Sequence, residues 1–310
     1  MGEPAPICLF VHARPGHTRR TLDALAANTL ASESVLIVRA DGPRGPGEAA
    51  RVEAVRALLR QERRFRRVEL HEQERNLGLA RSVISGLDEV FKRFEAAIIL
   101  EDDLVTSPHF LVFMNQGLER YRIDSRVGAI QGARLGAPDG AGANFFARLF
   151  LPWGWGTWRR AWADFEPDAQ KLQERLQEGR LQHAFNLEGS YNFYRMLQEQ
   201  QLGLVDSWFI RWYASQFLLG RLALWPAQGL VDNIGLDGSG THAREGSAYL
   251  HLGGAPALHG RVPEVREDPD QAAAIAGFYR IRGGGPLLGW LKYHCPIALK
   301  AALQGKLKRH

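Results

Sequence analysis

Three adjacent carboxylates, Glu101, Asp102 and Asp103, stand directly after the apolar run Ala96–Leu100. Like charges this close raise one another's pKa unless something positive lies among them. Hard divalent cations supply that charge through oxygen ligands, Mg²⁺ or Mn²⁺ commonly taking one or two carboxylates plus the phosphates of a substrate. A metal joining these acids to a diphosphate is the chemistry their spacing suggests. The plainer reading is a solvated acidic turn, but the preceding run is too apolar for a strand at a sheet edge. The metal reading has a clear point of failure: it collapses if the fold buries these acids in salt bridges or turns them away from the rim that carries Arg14 and Asp41.

Other polar groups recur at comparable places. His12-Ala13-Arg14 follows one apolar run, Asp41-Gly42 follows a second, and Arg75-Asn76-Leu77-Gly78 opens a helical stretch that carries Arg81. Arg14 or Arg81, with backbone N–H groups at the helix starting near Asn76, suit phosphate oxygens. Taken singly, each has a structural alternative. Arg14-Pro15 can begin a helix, Asp41-Gly42 is ordinary turn chemistry, and Asn76 can be an N-cap.

The elements that must position these groups are legible over the first 131 residues. Short apolar runs at 6–12, 34–41, 66–72 and 96–100 predict strands, and the stretches 17–30, 48–64 and 79–91 have helical spacing. Alternation of apolar strands with helices predicts an α/β fold with a mostly parallel central sheet and helices on both faces. Ligands in such sheets bind beyond the carboxyl ends of the strands, which is where the polar groups fall. Residues 132–160 are glycine-rich and aromatic, 169–185 and 190–200 read as polar-faced helices, and 226–260 read mostly as loop. The chain therefore divides into 1–131, a nucleotide-binding half; 132–260, an acceptor-binding and catalytic half of the same domain; and 261–310, a basic amphipathic tail.

Composition narrows the classes. A hydrophobic content of 45% supports a core, and the net charge of +5 rests on arginine-rich segments such as 60–67. That excess suits anionic small molecules or a membrane surface, and no nucleic-acid-binding motif is present, so no nucleic acid partner is expected. The two cysteines, Cys8 and Cys295, make no disulfide framework, which favours a reducing compartment. With no signal-like segment in 1–16 and no run of about 18 apolar residues, a cytoplasmic protein is expected. In the tail, Trp290, Tyr293, Leu299 and Leu303 lie among Lys292, Lys300, Lys306, Lys308 and Arg309. That pattern fits peripheral contact with an anionic membrane, at the inner face of the plasma membrane, or a docking helix with a solvated basic face.

The segments FVHARPGHTRRTLDAL, RADG, NLG and IILEDDLVTSPHFLVFM together resemble the GT-A fold glycosyltransferases, nearest to N-acetylglucosaminyltransferase I and related bacterial sugar transferases. Weaker similarity runs through 154–168 and 205–212, so the likeness covers about 6–242. The resemblance implies a nucleotide-sugar donor, usually a UDP-sugar, a Mn²⁺ or Mg²⁺ cofactor, inversion at the anomeric carbon, and a glycan or lipid-linked glycan acceptor in polysaccharide or lipopolysaccharide synthesis. By position, Arg14 and Asp41 would contact the nucleoside, Asp103 would ligate the metal, and Glu101 and Asp102 would lie nearer the ribose and donor sugar. His12, Asn76, Gly78 and Arg81 complete the expected donor site. In the catalytic-base region the family has paired acids before a Trp; here Asp206-Ser207-Trp208 stands instead, and Asp206 inherits the role of base.

Residues 151–162 set four tryptophans among glycines. Trp158 and Trp162, four apart, suit one helix face in the core, and Trp153 or Trp155 is expected to face a sugar. His242, at the end of the glycine-rich stretch 230–242, is either structural or a second metal or phosphate contact. Two rivals stay open. A nucleotidyltransferase would need a phosphate-gripping glycine-rich loop after the first strand, and HARPGH has a single glycine. A non-catalytic nucleotide-sugar-binding module would tolerate replacement of the acids.

Overall fold

Ile7, Leu9 and Val11 alternate with Cys8 and Phe10 along the first strand, and all of them are buried. A strand turns successive side chains to opposite faces, so a strand buried throughout must lie inside a sheet covered on both sides. A computed structural model of the chain describes residues 2–135, 143–236, 258 and 263–282. In it Ile7, Leu9 and Val11 belong to one apolar core and Cys8 and Phe10 to another, on opposite faces of the sheet.

The first half alternates as the sequence predicts: β1 (Ile7–Val11), α1 (Pro15–Ala26), β2 (Val35–Ala40), α2 (Pro46–Arg60), β3 (Arg67–Glu72), α3 (Leu79–Arg93) and β4 (Ala96–Glu101). A short β5 (Leu104–Thr106) follows the acidic turn, then α4 (Phe110–Arg120) and β6 (Val127–Gln131). β2–β3, β1–β2 and β1–β4 are parallel pairs, so the carboxyl ends of these strands share one edge of the sheet. β3 departs from the expected apolar strand. It lies at the sheet edge, half-exposed, with Glu69 paired to Arg93 and Glu72 to Arg60. Charged side chains of this kind protect an edge from pairing with another chain.

The second half contains strands that its glycine-rich, aromatic sequence conceals: β7 (Phe145–Ala147), β8 (Trp155–Trp158), β9 (Leu222–Trp225) and β10 (Val231–Asn233). Its helices are α5 (Arg159–Trp162), α6 (Ala169–Glu178), α7 (Gln182–Phe185), α8 (Phe193–Gln201), α9 (Trp208–Leu218) and α10 (Pro269–Arg282). Among the described residues the large sheet runs β3-β2-β1-β4-β8-β6-β9-β7. β8 enters between β4 and β6, antiparallel to both, while β6–β9 is parallel and β7–β9 antiparallel. The protein is thus α/β, with a large, mostly parallel central sheet. Leu22 and Leu25 of α1, Val55 and Leu59 of α2, and Met114 of α4 pack on one face; Val83 and Leu87 of α3 and Trp212 of α9 pack on the other.

Trp158 and Trp162 are both buried, as expected, but not as one helix face. The chain is extended through Trp158 and helical only from Arg159, so Trp158 enters the α4 side and Trp162 the α3 side. Part of the segment expected to be a separate tail packs on the body. Glu267 bridges to Phe146 beside β7 and pairs with Arg148, and Arg134 donates to Gln271 of α10. No helix among the described residues is long and apolar enough to cross a membrane.

Gly132, just past β6, is where the second half closes. A Cβ there would lie 2.7 Å from Gly154 O, from the Phe110 ring and from Val231. Gly132→Ala is expected to destabilise the fold by about 1–3 kcal/mol through overpacking, measured by urea unfolding.

Candidate functional site

The turn after β4 holds the acid triplet on the edge where β1, β2 and β3 also end. Arg14, which opens α1 just past β1, reaches over it. Its Nη2 donates to Asp102 Oδ1 and, at 2.9 Å, to Asp103 Oδ2. The positive charge among these acids is therefore first of all a side chain, where the sequence suggested a metal alone. Asp102 is the fixed member. It is buried, its Oδ2 accepts from His12 N at 3.2 Å, and its backbone carbonyl accepts from Thr21 Oγ1 at 2.9 Å. Asp103 is more open, and Gly235 of the turn after β10 lies against it: a Cβ at that glycine would fall 2.1 Å from Asp103 Oδ2. Pairing of β10 with β5, extended by Ile234 N donating to Asp103 O at 2.9 Å, brings that late turn to the acid.

Electrostatics at the triplet are unbalanced. Burial works against the charge of Arg14, but Asp102 and Asp103 outweigh it and raise its pKa. Burial raises Asp102, with Arg14 pulling the other way and Asp103 adding to the rise. Glu101, half-buried, is pushed up to about 8, first by burial and then by the charges of Asp103 and Asp102; Arg14 and a hydrogen bond with Trp208 oppose the shift. One guanidinium, paired with Asp102 and Asp103, stands among three carboxylates. Among the described residues no three His, Cys, Asp or Glu side chains form a ready metal cage, and Mg²⁺ or Mn²⁺ bound through one or two carboxylates plus phosphates does not require one.

Beside the triplet, Asp41 ties the ends of β2 and β3 together. Buried, it accepts from Gly42 N at 2.9 Å and Leu77 N at 2.8 Å through Oδ1, and from Asn76 Nδ2 and Gly78 N, both at 3.0 Å, through Oδ2. These bonds occupy both carboxylate oxygens, so Asp41 shapes the Asn76–Gly78 turn. Asn76 Nδ2 also lies 3.1 Å from His12 Nε2, which is 3.0 Å from Gly42 O and 3.4 Å from Glu48. His12 thereby links this turn to Asp102. Gly78 has φ +79°, a conformation that L side chains avoid, and a Cβ there would lie 3.9 Å from Asp206 Oδ2.

Asp206 therefore reaches the same rim from the other half of the chain. It is exposed, precedes α9 and meets Arg211 at 3.4 Å. Two residues on, the indole of Trp208 lies near enough to Glu101 to favour its charge, and it stacks on Trp155 at 5.4 Å between ring centroids. Trp208 and Gly235 are contributors that the sequence reading missed, because only the tertiary fold carries either to an acid some hundred residues away.

Trp155 corrects an expectation. It is fully buried between Trp208 and Trp212, with centroids 5.4 and 5.3 Å away. As a strand residue of β8 its ring enters the core under α9, so it presents no face to a sugar. Trp153 is half-buried. Arg81 is exposed on the first turn of α3. His242, Cys295 and the basic residues from Lys292 to Arg309 lie outside the described residues. Cys8 is buried in β1 with its thiol pushed up to about 12 by burial, which keeps it unreactive.

With this geometry in view, comparison with known proteins gives no relative: no protein-family model and no curated protein matches the chain.

Two measurements check the site. Asp41→Asn replaces an acceptor by a donor facing backbone N–H groups and is expected to cost about 1–3 kcal/mol, with faster hydrogen exchange at Leu77 and Gly78. Between pH 4.5 and about 8 the folded chain keeps a proton on Glu101 that the unfolded chain releases. Stability should then fall as pH rises through that window, by at most about 1.4 kcal/mol per pH unit for one proton. Glu101→Gln is expected to flatten that slope in denaturant titrations across the window.

Proposed function

We propose that this chain is a glycosyltransferase of the GT-A class, inverting and metal-dependent, that moves a sugar from a nucleotide-sugar, a UDP-sugar by resemblance, to a glycan or lipid-linked acceptor. Synthesis of a surface polysaccharide or lipopolysaccharide at the cytoplasmic side of a membrane goes with that reading. The observation that carries it is the meeting, on one rim, of three carboxylates with Arg14 paired to two of them, the Asp41–Asn76–Gly78 turn, and Asp206 from the other half of the chain.

The residues present fit a divalent cation. The donor set is all carboxylate oxygen, the triplet carries more negative than positive charge, and Asp103 keeps part of its side chain exposed. Asp103 would hold the ion, with Glu101 and Asp102 behind it. When bound, it would neutralise charge growing on the leaving diphosphate. Arg14 is placed to grip a phosphate through its planar fork. The Asn76–Gly78 turn, held rigid by Asp41 and His12, gives a nucleotide a preorganised floor.

Asp206 is suited to the base. Its carboxylate is exposed at the rim, where an acceptor hydroxyl attacking from the face opposite the diphosphate can deliver its proton. Arg211 and the anchoring of Trp208 against Trp155 hold that corner in place.

A second reading, a non-catalytic nucleotide-sugar-binding module, is favoured by one observation: Arg14 pairs with two of the three acids and so neutralises part of the triplet. A panel of nucleotide-sugars separates the two. The transferase reading expects Mn²⁺-dependent donor hydrolysis and thermal stabilisation by one donor; stabilisation with no hydrolysis selects the module. Asp206→Asn is expected to keep donor binding while turnover drops roughly 10²–10⁴-fold; an unchanged rate removes Asp206 from the role.

A further inference from the structure

We propose that Arg14 is a built-in counter-ion of the acid turn and yields Asp103 to a divalent ion when a diphosphate draws the guanidinium away. Metal and nucleoside diphosphate would then bind cooperatively through this one side chain. The inference rests on the reading of the rim as a metal–diphosphate site.

The two acids gripped by Arg14 are held very differently. Asp102 is buried, and its second oxygen is taken by the His12 amide. Asp103 has Arg14 as the only described side chain that donates to its carboxylate, and its side chain keeps 13% exposure. A cation arriving from solvent meets Asp103 first and has one contact to displace there, leaving Asp102 in place.

Arg14 is built to leave as well. A single nitrogen, Nη2, makes both contacts, and its side chain is 25% exposed. Among the described residues no hydrogen bond uses its Nε or Nη1, so most of the fork stays available for phosphate oxygens, which guanidinium binds in pairs. The backbone below it does not need to move. Pro15 begins α1, and Arg14 O accepts from Thr18 N and Thr18 Oγ1, both at 2.9 Å.

Competition for shared partners gives the exchange its direction. A metal ion alone must compete with Arg14 for Asp103. A diphosphate alone meets acids that Arg14 offsets only in part. Together each finds a partner of opposite sign: the ion takes the carboxylate and the guanidinium takes the phosphate. Such coupling is reciprocal by linkage.

Electron paramagnetic resonance titration of Mn²⁺ into the protein, with and without UDP, tests this directly. The wild-type chain is expected to bind Mn²⁺ alone weakly and to bind it roughly 5–150-fold more tightly with UDP. Because UDP itself chelates the metal, the decisive readout is Mn²⁺ alone. Arg14→Gln should bind it more tightly than wild type while binding UDP less well. Arg14→Lys, which keeps the charge on a thinner stem, should leave Mn²⁺-alone binding weak, and it serves where the glutamine variant does not fold. Equal or weaker Mn²⁺-alone binding by Arg14→Gln, or tighter binding by Arg14→Lys, overturns the exchange. A wild-type chain that binds neither Mn²⁺ nor UDP, alone or together, overturns instead the reading of the site on which it rests.

Discussion

Three carboxylates stand around one guanidinium at the end of β4, and the rim of the sheet is arranged around that imbalance. Burial raises Glu101 and Asp102 because ionised oxygens lose water there, and Arg14 recovers only part of the loss. A group of this kind is costly to keep unless a further cation reaches it in the working state. Strained or unbalanced polar clusters are common where a protein binds its ligand, and this one lies at the carboxyl ends of parallel strands.

The surroundings hold the imbalance in register. Asp41 spends its acceptors on the Asn76–Gly78 turn, and His12 joins that turn to Asp102. On the far side an indole wall of Trp155, Trp208 and Trp212 stands between the sheet and α9, with Trp208 turned to Glu101. Buried indoles of this size position a polar neighbour because they have few rotamers and many contacts. Asp206, two residues before Trp208, reaches the Gly78 turn from the end of that wall.

The late turn at Gly235 shows how the second half completes the first. β10 pairs with β5 one residue after the triplet, so the chain returns to Asp103 from more than a hundred residues downstream. Only a residue without a side chain can sit there while Asp103 keeps its position. Arg14, Asp41 and Asn76 from the first half and Asp206 from the second are joined by this closure and by the insertion of β8 beside β4.

The sequence alone determined the alternation through β4, the placing of His12, Arg14, Asp41, Asn76 and the triplet at strand ends, and the break after Gln131, because short continuous apolar runs and turn residues are local signals. It did not reveal β7 to β10, which are only three or four residues long and stable only as partners in a sheet. Tertiary structure decided that Trp155 faces the core and not a sugar, since a strand residue's direction depends on which helix covers its face. It also decided that Arg14 stands where a metal alone was expected. Adjacent acids in a chain announce a need for positive charge, but the groups that supply it are brought in from elsewhere by folding.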